Sequence, residues 1–100
     1  MSESEIEKEI QEKGLTAPRI TPDMIESAIV QTDFHLFGDS CLTVCCLTLR
    51  NGFTVVGESA CASPENFNAE LGQKIARTNA KEKIWMLEGY MLKQKLHEAK

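Results

Sequence analysis

The segment CLTVCCLTLRNGFTVVGESAC, Cys41 to Cys61, constrains this chain most: two runs rich in β-branched and aliphatic residues flank Asn51-Gly52. Asn-Gly between such runs favours a β-hairpin, because a type I′ turn needs φ > 0 at both central residues. A two-residue turn sets Arg50 opposite Phe53, Thr48 opposite Val55, Cys46 opposite Gly57 and Leu42 opposite Cys61 on one face. The other face then pairs Leu49 with Thr54, Leu47 with Val56, Cys45 with Glu58 and Thr43 with Ala60. Both faces are substantially apolar, whereas a ribbon wetted on one side alternates more cleanly. One face is expected to meet this chain's helices and the other a second element such as another subunit, since a lone hairpin is marginal in water.

Upstream, Thr32 to Phe37 alternates as a short strand, with Phe34 and Leu36 on one face and His35 and Phe37 on the other. Gly38-Asp39 turns it into the hairpin, which predicts a three-stranded antiparallel meander. Before it, Thr21 is a good N-cap, Pro22 suits the first helical position and Asp23 complements the helix dipole. They predict a short helix through Met24, Ile25, Ala28 and Ile29. Residues 1–14 form an acidic arm with Ser2 and Glu5 in capping-box spacing, Gly14 as a stop, and only Ile6 and Ile10 as an apolar stripe. So thin a stripe predicts fraying or a partner-facing arm. Residues 15–100 form a single α+β domain.

Downstream, Ser63-Pro64-Glu65 marks the start of a long helical segment. Phe67, Leu71 and Ile75 begin its stripe, which continues through Ala76, Ala80, Ile84, Leu87 and Met91 as core positions. Gly72 and Gly89 leave two forms open: one long helix with a bend, or two helices meeting near Glu88-Gly89. Trp85, Leu92 and Leu96 lie on a flank that needs its own cover, which another subunit could supply.

With 100 residues the chain builds one small domain with a thin core, and oligomerisation buries more surface. Long apolar runs and a secretory pattern are absent, and a cytoplasmic location is therefore expected. The spacing of Cys41, Cys45, Cys46 and Cys61 fits neither a C-x-x-C pair nor a zinc site, and His35 and His97 match no ligand spacing with them. The thiols read as buried small hydrophobes in reduced form. Net charge is −4, yet from Lys74 onward seven cations face three carboxylates, giving +4 and leaving −8 for the first 73 residues. That imbalance argues against wholesale duplex binding while leaving a local basic face for a small anion.

Catalytic motifs are lacking, and the chain reads as a non-enzyme with no cofactor and no metal. What remains is a binding constellation. Arg50 beside Phe53 pairs a guanidinium with an aromatic face, a combination that holds phosphate and stacks a purine. The helix start at Ser63-Pro64 offers free N–H groups, with Asn66 and Asn68 able to bond a base edge or ribose, and Arg77, Thr78, Lys81 and Lys83 add donors. On spacing alone Phe53 reads first as a core residue rather than a ligand contact, and asparagines after a cap are commonplace.

The segments APRITPDMI, TLRNGFTVVGESA, NFNAELGQKIAR and KIWMLEGYML, in that order from Ala17 to Leu92, resemble a family of small proteins of tailed bacteriophages that includes the first-described Thoeris anti-defence sponges. The resemblance implies binding of cyclic ADP-ribose isomers made by bacterial TIR enzymes, in the cytoplasm of the infected host, without cleavage. It also implies a separate site for cyclic trinucleotides in some members, and a dimer or a hexamer built as a trimer of dimers. Carried onto this chain, it implies cyclic ADP-ribose contacts from Arg50, Phe53, Asn66, Arg77 and Lys83, with Phe53 stacking on adenine and Arg77 or Lys83 on the diphosphate. Arg19 and Thr78 would hold a cyclic trinucleotide. Two other readings remain: a structural or regulatory phage protein binding a host protein or nucleic acid through its basic C-terminal helices, and a redox or thiol-transfer protein using Cys45 or Cys46.

Overall fold

A computed structural model describes residues 3–14 and 17–100. Ser2, and with it half of the expected capping box, lies outside them, as do Leu15 and Thr16 of the following linker. The elements in order are α1 (Glu3–Glu12), α2 (Pro22–Ala28), β1 (Ile29–Leu36), β2 (Thr43–Leu49), β3 (Thr54–Ser59), a 3₁₀ turn (Pro64–Asn66) and α3 (Ala69–Glu98). The strands form one antiparallel sheet in the order β1-β2-β3, the meander expected from the turn signals.

Helix α2 begins as its sequence dictates: the Thr21 side chain accepts the Met24 amide at 3.3 Å and Pro22 opens the first turn. It ends one residue short of expectation. Ile29 already has extended dihedrals and starts β1, so helix passes to strand with no loop between. A register shift between Ile29 and Gln31 leaves Val30 unpaired, bulged outward and 61% exposed.

The hairpin register is one residue away from the expected one. Observed partners are Thr48 with Thr54, Leu47 with Val55, Cys46 with Val56 and Cys45 with Gly57. The loop has three residues rather than two: Leu49 donates its amide to the Phe53 carbonyl at 2.8 Å, and Gly52 donates to the Leu49 carbonyl at 2.9 Å. Gly52 alone carries positive φ, at 88°, while Asn51 spends its side chain accepting the Phe53 amide at 3.0 Å. This is a type I turn closed by a left-handed glycine, the usual three-residue hairpin. Burial explains the choice. A one-residue slip exchanges faces, and this register gathers Cys45, Leu47, Leu49, Val55 and Gly57 on one side.

That side is covered by α3, which packs across β2 and β3, with α2 beside it. The core comprises Ile25, Ala28, Cys45, Leu47, Leu49, Val55, Ala76, Ala80 and Ile84. Gly57 sets the spacing: a Cβ there would fall 2.8 Å from the Ala80 Cα and closer still to the backbone of Ala76 and Ala80. The other sheet side carries Val44, Cys46 and Thr48, half-buried, with Val56 at 42% exposure.

Helix α3 is one uninterrupted helix of 30 residues, with no break at Gly89. Its start is displaced from the expected one. Ser63 makes no side-chain cap and Pro64 to Asn66 close only a 3₁₀ turn, whereas Asn68 caps α3 by accepting the Leu71 amide at 2.9 Å. At 1.5 Å per residue α3 spans about 45 Å, far more than strands of six and seven residues can line. Only Ala76, Ala80 and Ile84 are therefore fully buried along it, with Leu87 packed against the core's edge. Leu71, Ile75 and Met91, expected in the core, are 54%, 42% and 51% exposed because the sheet does not reach them.

The acidic arm folds back on its own chain. Glu3 of α1 accepts the Trp85 indole N–H at 2.9 Å and pairs with Lys81 Nζ at 3.3 Å, while Ile6 and Ile10 line an apolar groove with Ile20 and Trp85. Part of the cover for the flank of Trp85, Leu92 and Leu96, that over Trp85, thus comes from this chain, while Leu96 stays 40% exposed. Of the four free cysteines, only Cys45 is buried; Cys41, Cys46 and Cys61 are half-exposed, because they sit at the sheet's end or on its open side.

Candidate functional site

The hairpin tip and the middle of α3 enclose a cavity of about 430 Å³. The hairpin tip brings Arg50, Asn51 and Phe53 to it, and α3 contributes Leu87, Tyr90, Met91 and one carboxylate, Glu88, with Ala28 and Leu49 at its base. Phe53 is 55% exposed and Tyr90 73%. A large aromatic surface left in water is a lost burial opportunity, so two of them beside an exposed guanidinium form a ready platform for a flat, charged ligand. Of the residues picked from sequence, Arg50 and Phe53 come together here. Tyr90 was missed; its signal was its place in KIWMLEGYML, off the core stripe of its helix.

The remaining candidates lie elsewhere on the chain. Asn66 stands exposed in the 3₁₀ turn, on a cavity of about 100 Å³ with Cys41, Cys61 and Gly72. The expected anion site at Ser63-Pro64 is not formed, since no α-helix begins there, and Asn68 is engaged in capping. Lys83 is exposed beside the β3 edge, lining a shallow depression with Glu58 and Asn79, whose amide donates to the Glu58 carbonyl at 2.8 Å. Thr78 is exposed on α3.

Arg77 and Arg19 are both engaged in ion pairs. Arg77 donates to both Glu26 oxygens at 2.9 and 3.3 Å, and Lys81 reaches Glu26 at 2.7 Å. The Arg77 hydrogen bonds, aided by Lys81 and opposed by desolvation, pull the Glu26 carboxyl down to about 2, and Glu26 in turn raises Arg77. Arg19 makes a two-pronged pair with Glu7 at 2.5 and 2.6 Å, which lowers Glu7 and raises Arg19. A cavity of about 530 Å³ between α1 and the linker includes Arg19 and Lys8 together with Glu3, Glu7 and Asp23. Its carboxylates make it a poor anion site as it stands.

Among the described residues no group of three or more His, Cys, Asp or Glu side chains converges to hold a metal, and no helix is long and apolar enough to cross a membrane.

The model of the phage protein (N4 Gp49/phage Sf6 gene 66) family matches residues 20–96. The chain belongs to this family. The match takes in α2, the whole sheet and nearly all of α3, so the hairpin-tip cavity lies within the part shared by these phage proteins. Helix α1 and Arg19 lie outside it. Neither the curated proteins nor the solved structures include a match.

Proposed function

We propose that this phage protein binds and sequesters cyclic nucleotide immune signals, cyclic ADP-ribose isomers first among them, without cleaving them. The observation that carries the reading is the exposed Phe53 beside Arg50 and Tyr90 over a cavity of about 430 Å³. That volume lies within the range of small-molecule sites. An aromatic face for a purine and a guanidinium for a diphosphate are the two elements such a ligand requires. The resemblance to anti-defence sponges agrees with this chemistry, as does membership of a phage family.

Asn66, Arg77 and Lys83 lie away from that cavity within one chain. A pocket shared between subunits of a dimer, or of a hexamer built from three dimers, joins them to Phe53 of a neighbour. Arg19 and Thr78 serve a cyclic trinucleotide, with Arg19 exchanging Glu7 for a phosphate. The mechanism is stoichiometric, so function depends on slow release and on protein in excess of the signal, in the cytoplasm of the infected bacterium.

Thermal-shift series with cyclic ADP-ribose isomers, cyclic trinucleotides and linear ADP-ribose at matched concentration test the reading, because a ligand held only by the folded state raises the melting temperature. Heat denaturation of the complex should return the ligand intact. Degraded ligand would make the protein an enzyme, and no shift with any of these ligands would sink the proposal.

The exposure of Met86, 70%, on the face of α3 that also carries the solvated Lys83 and Lys93 favours a second reading, a regulatory or structural protein gripping a host protein or nucleic acid through α3. Salt-sensitive binding of DNA or RNA without any response to small nucleotides would select it.

A further inference from the structure

The geometry points to a redox modification site at Cys41 and Cys61: the two thiols close into an intramolecular disulfide on exposure to a low-molecular-weight disulfide, clamping the open end of the β2–β3 hairpin. Thr43 pairs with Ser59 at the last rung; carried two steps past the strand ends, that register sets Cys41 opposite Cys61, and both line one small cavity. Directly opposed residues in antiparallel strands have Cα separations near those of disulfides, and their Cβ atoms, about 4.5–5.5 Å apart, draw in to about 3.5–4.5 Å when the bridge forms. Both thiols are half-exposed, and both border the small cavity that also holds Asn66. Cys45 and Cys46 offer no such pair. They are consecutive on β2 and face opposite sides of the sheet, one buried and one half-exposed.

The neighbouring Cys61 side chain is the largest cause of a raised Cys41 pKa, so Cys41 holds its proton more tightly than a free thiol. The reaction then runs in two exchanges. The Cys61 thiolate attacks one sulfur of glutathione disulfide and expels a glutathione thiolate. Cys41 gives its proton to solvent and attacks the Cys61 sulfur of the mixed disulfide, expelling the second glutathione. Two protein thiols are oxidised and one glutathione disulfide is reduced to two glutathiones. The bridge closes the loop that carries the whole β2–β3 ribbon, and it tethers the entry to the segment 62–68 that bears Asn66.

The full-length chain is incubated with glutathione disulfide, blocked with iodoacetamide, and read by intact mass and peptide mapping. The expected product has lost two hydrogens, carries a Cys41–Cys61 cross-link, leaves Cys45 and Cys46 alkylatable in denaturant, and melts at a higher temperature than the reduced protein. Cys41→Ser and Cys61→Ser should each abolish it, with folding checked by circular dichroism, and Cys46→Ser should leave it unchanged. A bridge mapping to another pair or between chains overturns the proposal. So does a stable glutathione adduct that never resolves, or thiols that stay reduced at high oxidant.

Discussion

Gly57 of β3 lies directly against Ala80 of α3, so close that a single methyl group on Gly57 would stand 2.8 Å from the Ala80 Cα. Strand and helix backbones meet here with no side chain between them, and Ala76 and Ala80 are both fully buried at the contact. Backbone atoms cannot rotate aside, so Gly57→Ala must separate α3 from the sheet. Overpacking a core costs typically 1–3 kcal/mol, and the expected loss is at least about 3 kcal/mol in denaturant unfolding because only a shift of the whole helix relieves it. Gly89→Ala is the control. Nothing lies within 4 Å of a Cβ there, and replacing a mid-helix glycine should stabilise by about 0.5–1 kcal/mol.

Phe53→Ala tests the hairpin-tip cavity. The ring is exposed, so stability should stay within about 0.5 kcal/mol of the parent. Loss of a stacking partner should weaken binding of a cyclic ADP-ribose isomer by about 1–3 kcal/mol, roughly 5- to 150-fold in Kd by calorimetry. Tyr90→Ala should weaken it in the same direction. Unchanged affinity in both variants would remove the cavity from the ligand's path.

Acid should loosen the contact between α2 and α3 through Glu26. Its folded pKa, about 2, lies below the ordinary 4.5, so its contribution is complete above pH 4.5 and is lost as pH falls from there through about 2. The side chain is 46% exposed, and after discounting for solvent screening the contribution is roughly 1 kcal/mol. Glu26→Gln should flatten the fall in stability between pH 5 and pH 2 by about that amount. Parallel pH profiles for variant and parent would show that the Arg77 and Lys81 contacts carry no net stabilisation.

Removing residues 1–14 should report directly on Trp85, the chain's single tryptophan. Glu3 takes its indole N–H and the apolar side of α1 shields it. The truncated protein should show a red-shifted tryptophan emission, while its circular dichroism loses only the signal of α1, which contributes no buried residue. An unshifted spectrum would mean that α1 does not dock as described.

Local chemistry alone determined much of this protein. Thr21-Pro22-Asp23 specified where α2 starts, the β-branched and aliphatic runs specified two strands, and Asn51-Gly52 specified that a hairpin turns there; that only one side of β2 is fully buried was decided by where α3 packs. The local signals are readable because each rests on dihedrals and hydrogen bonds within a few residues. The register was beyond them: a two-residue and a three-residue loop both suit Asn-Gly, and burial of Leu47 with Val55 against α3 decides between them. The start of α3 followed the same rule, since Ser63-Pro64 and Asn68 are both good caps and packing placed the helix at the second. Tertiary structure also decided which candidate residues are near one another. It brought Phe53 and Tyr90 to one cavity across 37 residues of chain and Cys41 and Cys61 to another, and it placed Glu7 on Arg19 and Glu26 on Arg77. Such contacts depend on how far one helix overhangs a short sheet, a property of the packed whole that no window of sequence contains.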